Sequence, residues 1–189
     1  MIPTILALTK NGVPDRWINI KEAAHYYASG QVAWARGTTE FVLRGGTCVA
    51  TGNCSEIRAN SIIAIEGEDF KVRNFQRVPT VTKEMLLKRD RHTCAYCAET
   101  FKENMVDVEH IVPDSRGGEY AWMNLVIACK ACNDRKSNRT PEEAGMKLHY
   151  VPYIPNLFEE LILSGRKVLA DQMEFLLSGV PKHSRLLLQ

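Results

Sequence analysis

The chain has 189 residues, 45% of them hydrophobic, and a formal net charge of +2. That is enough apolar material for the core of one medium domain or two small ones, and no run approaches the roughly 20 apolar residues of a membrane span. So small a net charge does not mark a polyanion binder, and any such site must come from local clustering. Six cysteines could suggest a disulfide framework, but the start MIPTILALTKNG has neither a basic leader nor a small-residue cleavage site, so a reducing, cytoplasmic setting is expected.

Residues 1–79 read as a small α+β unit. An apolar start leads to a strand near 16–20, a helix over 21–28 that Gly30 stops, and a strand over 31–35. The glycines Gly45, Gly46 and Gly52, with the apolar run in 60–65, predict short strands joined by turns. Cys48 and Cys54 have five residues between them and no histidine nearby, so they read as ordinary thiols. The aromatics Tyr26, Tyr27, Trp34 and Trp122 read as core.

The text changes after Val78-Pro79-Thr80, which is the expected domain boundary. A helix over 82–89 follows, then a strand over 105–112 ended by Pro113, a turn-rich loop over 114–118 and a second strand over 124–128. Thr140-Pro141-Glu142-Glu143 joins a capping box to proline at the first helical position, so a helix should begin at Thr140. In 150–189, two apolar stripes predict a helical pair packed on the rest: Leu157, Phe158, Leu161, Ile162, and then Val168, Leu169, Met173, Leu176, Leu177. Three parts result: a small α+β domain at 1–79, a central domain at 80–149 and a C-terminal helical segment at 150–189.

The central domain carries the chemistry. Cys94/Cys97 and Cys129/Cys132 are two C-x2-C pairs with a 31-residue spacer. They fit a tetrahedral four-cysteine zinc site, because each short pair can bend round one ion while the spacer forms its own structure. Sulfur fills all four positions and leaves none for water, so the zinc would be structural and contribute folding free energy. An iron–sulfur cluster is the other four-cysteine reading, and a redox pair would need a thioredoxin-like context that the pattern lacks. Basic residues flank both pairs: Lys130, Arg135, Lys136 and Arg139 against Asp134, and Lys83, Lys88, Arg89 and Arg91 against Glu84 and Asp90.

Within and just beyond the spacer come Glu109-His110, Gly117-Gly118, Asn124-Leu125 and Cys132-Asn133 with Lys136 one helical turn later. This order resembles the HNH endonuclease family over about 80–149, in the variant whose third signature residue is asparagine. The N-terminal region is more loosely similar to the leader of a group of bacterial HNH proteins. The resemblance implies a ββα-metal core, a two-stranded ribbon packed on a helix around one divalent metal. Overall, an α+β chain is expected, with the zinc-stabilised core between the small N-terminal domain and the C-terminal helices.

Hydrolysing a phosphodiester needs an activated water, a cation against the developing phosphate charge, and positioning of both. The resemblance implies that His110 is the general base, that Glu109 and Asn133 are hard oxygen ligands for Mg²⁺ or Mn²⁺, and that Asn124 orients the ribbon. Family members usually carry aspartate where this chain has Glu109, a difference of one methylene. Asp107, two residues earlier on the same strand face, is an alternative ligand. Arg116, Arg135, Lys136 and Arg139 are the expected phosphate contacts. The other histidines, His25, His92, His149 and His183, read as packing or surface residues. The expected function is a metal-dependent DNA endonuclease, with a homodimer called for if it cuts both strands. The alternative is a non-catalytic zinc-containing nucleic-acid-binding module.

Overall fold

The apolar start forms an inner strand in the computed structural model, which describes residues 4–66 and 78–187. In β1 (Thr4–Thr9), Ile5, Leu6, Ala7 and Leu8 are all fully buried, as expected of a strand covered on both faces. β2 (Pro14–Asn19) pairs with it antiparallel. Helix α1 (Ile20–Ala28) follows at once, its start capped by the Asn19 side chain accepting from the Glu22 amide at 3.0 Å. β3 (Val32–Thr47) and β4 (Cys54–Ile65) complete a four-stranded sheet in the order β2-β1-β4-β3, with β4 parallel to β1.

Where short strands were expected between 31 and 65, β3 and β4 form one long antiparallel hairpin, paired from Val32↔Ile65 to Thr47↔Cys54. Gly52 (φ +69) lies in the turn between them as expected, but Gly37 and Gly45 do not end the strand; they admit neighbours. A Cβ at Gly45 would overlap the Ser55 hydroxyl, and one at Gly37 (φ +108) would overlap the Ser61 hydroxyl. Gly37 lies where the register slips between Arg36 and Glu40, the usual place for glycine in a bulged edge strand.

The segment from 78 opens with α2 (Lys83–Arg89), whose N-cap Thr82 accepts from the Met85 amide at 3.2 Å. Its buried face carries Met85, Leu86, Leu87 and Arg89. β5 (Val106–His110) and β6 (Leu125–Cys129) pair antiparallel, and α3 (Lys130–Lys136) starts at the residue after β6 and packs on both. The capping box expected at Thr140 forms: the Thr140 amide donates to Glu143 Oε2 at 3.0 Å and the Glu143 amide to Thr140 Oγ1 at 3.4 Å. The expected helix does not follow. Residues 141–145 make a single turn that closes at Gly145 (φ +63), with the Met146 amide bonded to the Pro141 carbonyl at 2.8 Å, a left-handed stop only glycine adopts cheaply.

The tail supplies α4 (Leu157–Ser164) and α5 (Ala170–Leu177). Leu161 and Leu176 cover Leu6, Leu8, Ile62 and Ala64, while Ile5, Ala7 and Ile63 on the opposite sheet face pack against Ala23 of α1. Buried Gln172 donates to the Thr4 carbonyl at 3.0 Å and the Ser61 carbonyl at 2.8 Å. The compact units are therefore not consecutive: Met1–Arg77 groups with Leu157–Val180, and Val78–Asn156 with Pro181–Gln189. The segment expected as one C-terminal piece at 150–189 is divided, because the second sheet face needs the apolar stripes of α4 and α5 as its cover. The α+β class read from the sequence is the one found, and no helix among the described residues is long and apolar enough to cross a membrane.

Candidate active site

The sulfurs of Cys94, Cys97, Cys129 and Cys132 lie within 4.8 Å of one another. A tetrahedral zinc with bonds of about 2.3 Å places its sulfurs about 3.8 Å apart, so the cluster fits that ion. The first pair is shaped by a left-handed Ala98 (φ +62), whose amide donates to the Cys94 carbonyl at 3.0 Å, while the Tyr96 amide reaches Cys94 Sγ at 3.5 Å. The second pair follows from β6 running straight into α3. An Ala95 amide bond of 2.8 Å to the Ile127 carbonyl ties the two together. Burial, then the neighbouring cysteines, pushes the Cys132 thiol up. Burial opposes the Cys94 thiolate too, but the amides of Cys129, Cys97 and Tyr96 outweigh it and hold Cys94 below its ordinary value. A divalent cation relieves this mutual repulsion of thiolates.

β5 ends on Glu109 and His110, which face Val126 and Leu125 of β6 in the ladder. Both side chains are half-buried. Asn133 is half-buried on α3, the helix packed against β5. The structure adds a partner for Glu109: Lys136 Nζ donates to its Oε1 at 2.6 Å, with the lysine side chain 0% exposed and the carboxylate side chain 12%. Lys136 was expected to meet a phosphate. It is instead turned inward, because its place on α3 aims its ammonium at the β5 carboxylate, and a buried lysine is found only when paired.

Asn124 sits at the mouth of β6 and grips the chain that leaves His110. Its Oδ1 accepts from the Val112 amide at 2.8 Å, and its Nδ2 donates to the Val112 carbonyl at 3.1 Å and the Glu119 carbonyl at 2.9 Å. Its own carbonyl accepts from the Ile111 amide at 2.8 Å. Gly118 belongs to the same clasp, since a Cβ there would overlap the Val112 carbonyl.

The arginines separate in role. Arg135 is exposed. Arg139 donates to the carbonyls of Arg135 at 2.6 Å and Lys136 at 3.3 Å and so closes the end of α3. Arg116 pairs with Glu143 at 2.6 Å; the Thr140 amide foremost, ahead of Arg116, holds that carboxylate below its ordinary range. Asp107, the alternative ligand, is 62% exposed and lies 3.7 Å from Lys83. Among the described residues, the four cysteines are the group of three or more metal-binding side chains that converges.

Two residues escaped the sequence reading. Arg89, counted in a basic cluster, is fully buried: it chelates Asp90 at 2.7 and 2.9 Å, donates to the carbonyls of Trp122 at 2.8 Å and Leu125 at 2.7 Å, and lies over the Trp122 ring at 5.4 Å. Asp90 in turn accepts from the Ile127 amide at 3.1 Å. Helical spacing from Met85 and Leu86 could have placed Arg89 on the buried face. Tyr120 holds its ring 5.9 Å from that of His110, tilted by 59°; nothing in its spacing singled it out from the neighbouring Trp122.

Residues 94–149 match the model of the HNH endonuclease family. The CRISPR-associated endonuclease Cas9 of Campylobacter jejuni is 36% identical over 70 residues, covering 34% of this chain and 7% of that protein. The crystal structure of the Type II-C Cas9 enzyme from Actinomyces naeslundii aligns with a TM-score of 0.30 and 20% identity, over 55% of this chain and 13% of that one. The chain thus spans a small fraction of the Cas9 proteins it matches, and a structural likeness at that level carries no argument.

Proposed function

We propose that the HNH endonuclease domain at residues 94–149 hydrolyses phosphodiester bonds of DNA, with His110 as general base. The observation that supports this most is the meeting of Glu109 and His110 at the end of one strand, against the helix that carries Asn133, in a frame closed by four clustered cysteines. A protein that only binds has no need of a base beside two hard oxygen donors.

His110, half-exposed at the strand end, is placed to take a proton from the attacking water, and imidazole is the side chain suited to that transfer near neutrality. Lys136 holds Glu109 by Oε1 and leaves Oε2 available. That oxygen and the carboxamide oxygen of Asn133 form a hard donor set that suits Mg²⁺ or Mn²⁺, and two protein ligands are a normal number for Mg²⁺. When bound, such a cation supplies positive charge against the phosphate oxygens as the bond breaks. Asn124 acts at one remove by fixing the loop that follows His110. Cys94, Cys97, Cys129 and Cys132 hold a structural Zn²⁺ that pins the start of α3, and with it Asn133 and Lys136, against β5. Exposed Arg135 is the phosphate contact the site retains, and Arg116 can exchange its exposed partner Glu143 for a phosphate.

The test is relaxation of supercoiled plasmid by the zinc-loaded protein with Mg²⁺, with Mn²⁺ or with no added divalent ion, beside His110→Ala. Nicking should depend on the divalent ion and fall at least about 10²-fold in the variant with zinc content unchanged. Equal cleavage by both proteins removes His110 from the mechanism. Tight binding without cleavage makes the domain a binding module.

A further inference from the structure

We propose that the substrate strand occupies the site with an unpaired base stacked on Tyr120, so that the preferred substrate is single-stranded or locally melted nucleic acid rather than continuous duplex. This rests on the nuclease reading above and adds the class of substrate.

Tyr120 is 57% exposed although its ring neighbours that of His110. The exposure is not that of a loose loop. The Gly118 amide bonds the Pro113 carbonyl at 3.0 Å, Asn124 holds the Glu119 carbonyl, and the Ala121 amide returns to the Glu119 carbonyl at 3.0 Å. Two residues on, Trp122 is buried with its Nε1 donating to the Pro79 carbonyl at 2.7 Å. The ring is therefore presented from an anchored turn, with its face open to a flat ligand.

Beside Tyr120 lies a cavity of about 440 Å³ lined by Val78, Pro79, Trp122, Met123 and Ile154. Met123 and Ile154 are themselves about half exposed. Any phosphate within reach of His110 has its nucleoside next to this surface, because His110 and Tyr120 stand a single ring-to-ring contact apart. The occupant must then be flat, apolar on its faces and joined to a phosphate, which describes a nucleobase. Bases inside a duplex have both faces covered by their neighbours, whereas an unstacked base offers one to an aromatic side chain. Stacking of this kind tolerates any base, so the surface selects strandedness and not sequence.

The experiment uses the full zinc-loaded chain in buffer without added Mg²⁺ or Mn²⁺, where the proposed chemistry has no catalytic ion, with oligonucleotides carrying 2-aminopurine in a single strand, in a bulge and in continuous duplex. The unpaired probes should be quenched on binding and the duplex probe left unchanged. Tyr120→Ala should abolish the quenching and weaken single-strand affinity about tenfold or more. Tyr120→Trp should keep both, and Met123→Glu should reduce them with zinc content intact. Equal affinity for duplex and single strand without quenching, or wild-type binding by Tyr120→Ala, overturns the proposal. Because the readout is binding, a failure to cleave plasmid would sink the nuclease reading and leave this result legible by itself. DNA and RNA versions of the same probes tell which sugar is accepted.

Discussion

Replacing Lys136 by methionine separates two roles that a basic residue on α3 can have. Its ammonium is wholly buried and 2.6 Å from Glu109, whose side chain keeps 12% exposure. At an effective dielectric of about 20, two charges at that distance attract by about 6 kcal/mol, and desolvation of the lysine offsets a large part of it. Removing one partner of a buried pair costs about 3–5 kcal/mol. The partial exposure of Glu109 lets water rehydrate its carboxylate, so Lys136→Met belongs at the low end, about 3 kcal/mol. Glu109→Gln leaves a buried ammonium facing a neutral amide and should cost about as much. The double variant removes both charges and should cost no more than either single, a coupling of about 3 kcal/mol. Urea titrations in Mg²⁺-free buffer, followed by release of zinc to a chromogenic chelator, report on this unit. With slopes of about 1–3 kcal/mol/M, each single should lower the midpoint by about 1–3 M. Additive losses would refute the pairing. So would a Lys136→Met protein as stable as wild type but weaker for DNA, which would return Lys136 to the phosphate.

Three further outcomes follow from the same geometry. Cys129→Ser should drop zinc from about one ion per chain and unfold the ββα core; a stable, zinc-loaded variant by metal analysis and circular dichroism would contradict the structural role of the cluster. Arg89→Leu should destabilise the unit by about 3–5 kcal/mol in urea, since it strands a buried Asp90 and takes the donor from the carbonyls of Trp122 and Leu125; a change under about 1 kcal/mol would show that the hub is dispensable. In the other unit burial works against the Asp171 carboxylate, but the Ser61 hydroxyl and the amides of Thr39, Gln172 and Thr38 outweigh it and hold the group below its ordinary range. A depressed carboxylate stabilises the fold above its unfolded value near 4 and loses that contribution as pH falls through the folded value, so hydrogen-exchange protection factors in β1 and β4 should fall below about pH 4 in wild type and vary less in Asp171→Asn.

The local rules that needed only neighbours in sequence worked. The capping box at Thr140 forms, the alternation at 105–112 makes β5, and the stripes at 157–177 make two helices. The misreadings share a cause. Gly45 and Gly46 read as turn residues, yet both lie inside β3, where Gly45 makes room for Ser55 of the partner strand, and the helix expected from Thr140 closes after one turn at Gly145. Whether a glycine breaks an element depends on what packs against it, which is tertiary knowledge. The same holds for the tail, whose stripes showed that it packs but not on which face.

Spacing identifies the residues of a site far better than it identifies their partners. The four cysteines converge as their spacing predicted, and the order Glu109, His110, Asn124, Asn133 carried the resemblance to the family whose model matches residues 94–149. Lys136 follows Asn133 by three residues, so on spacing alone it shares the polar start of α3 and invites a phosphate. A helix turns about 100° per residue, so residues three apart stay within about 60° on one face, and what Lys136 meets from there is Glu109 of the strand beneath. Arg89 shows the same ambiguity at the end of α2, where a charge in a basic run proves to be the centre of the core. A basic cluster in sequence therefore counts charges without saying which of them face water. In this domain two of the eight basic residues that flank the cysteine pairs are spent on carboxylates inside the fold. The positive surface left for a polyanion is smaller than the sequence suggests, and an apolar contact such as Tyr120 gains weight in holding the substrate.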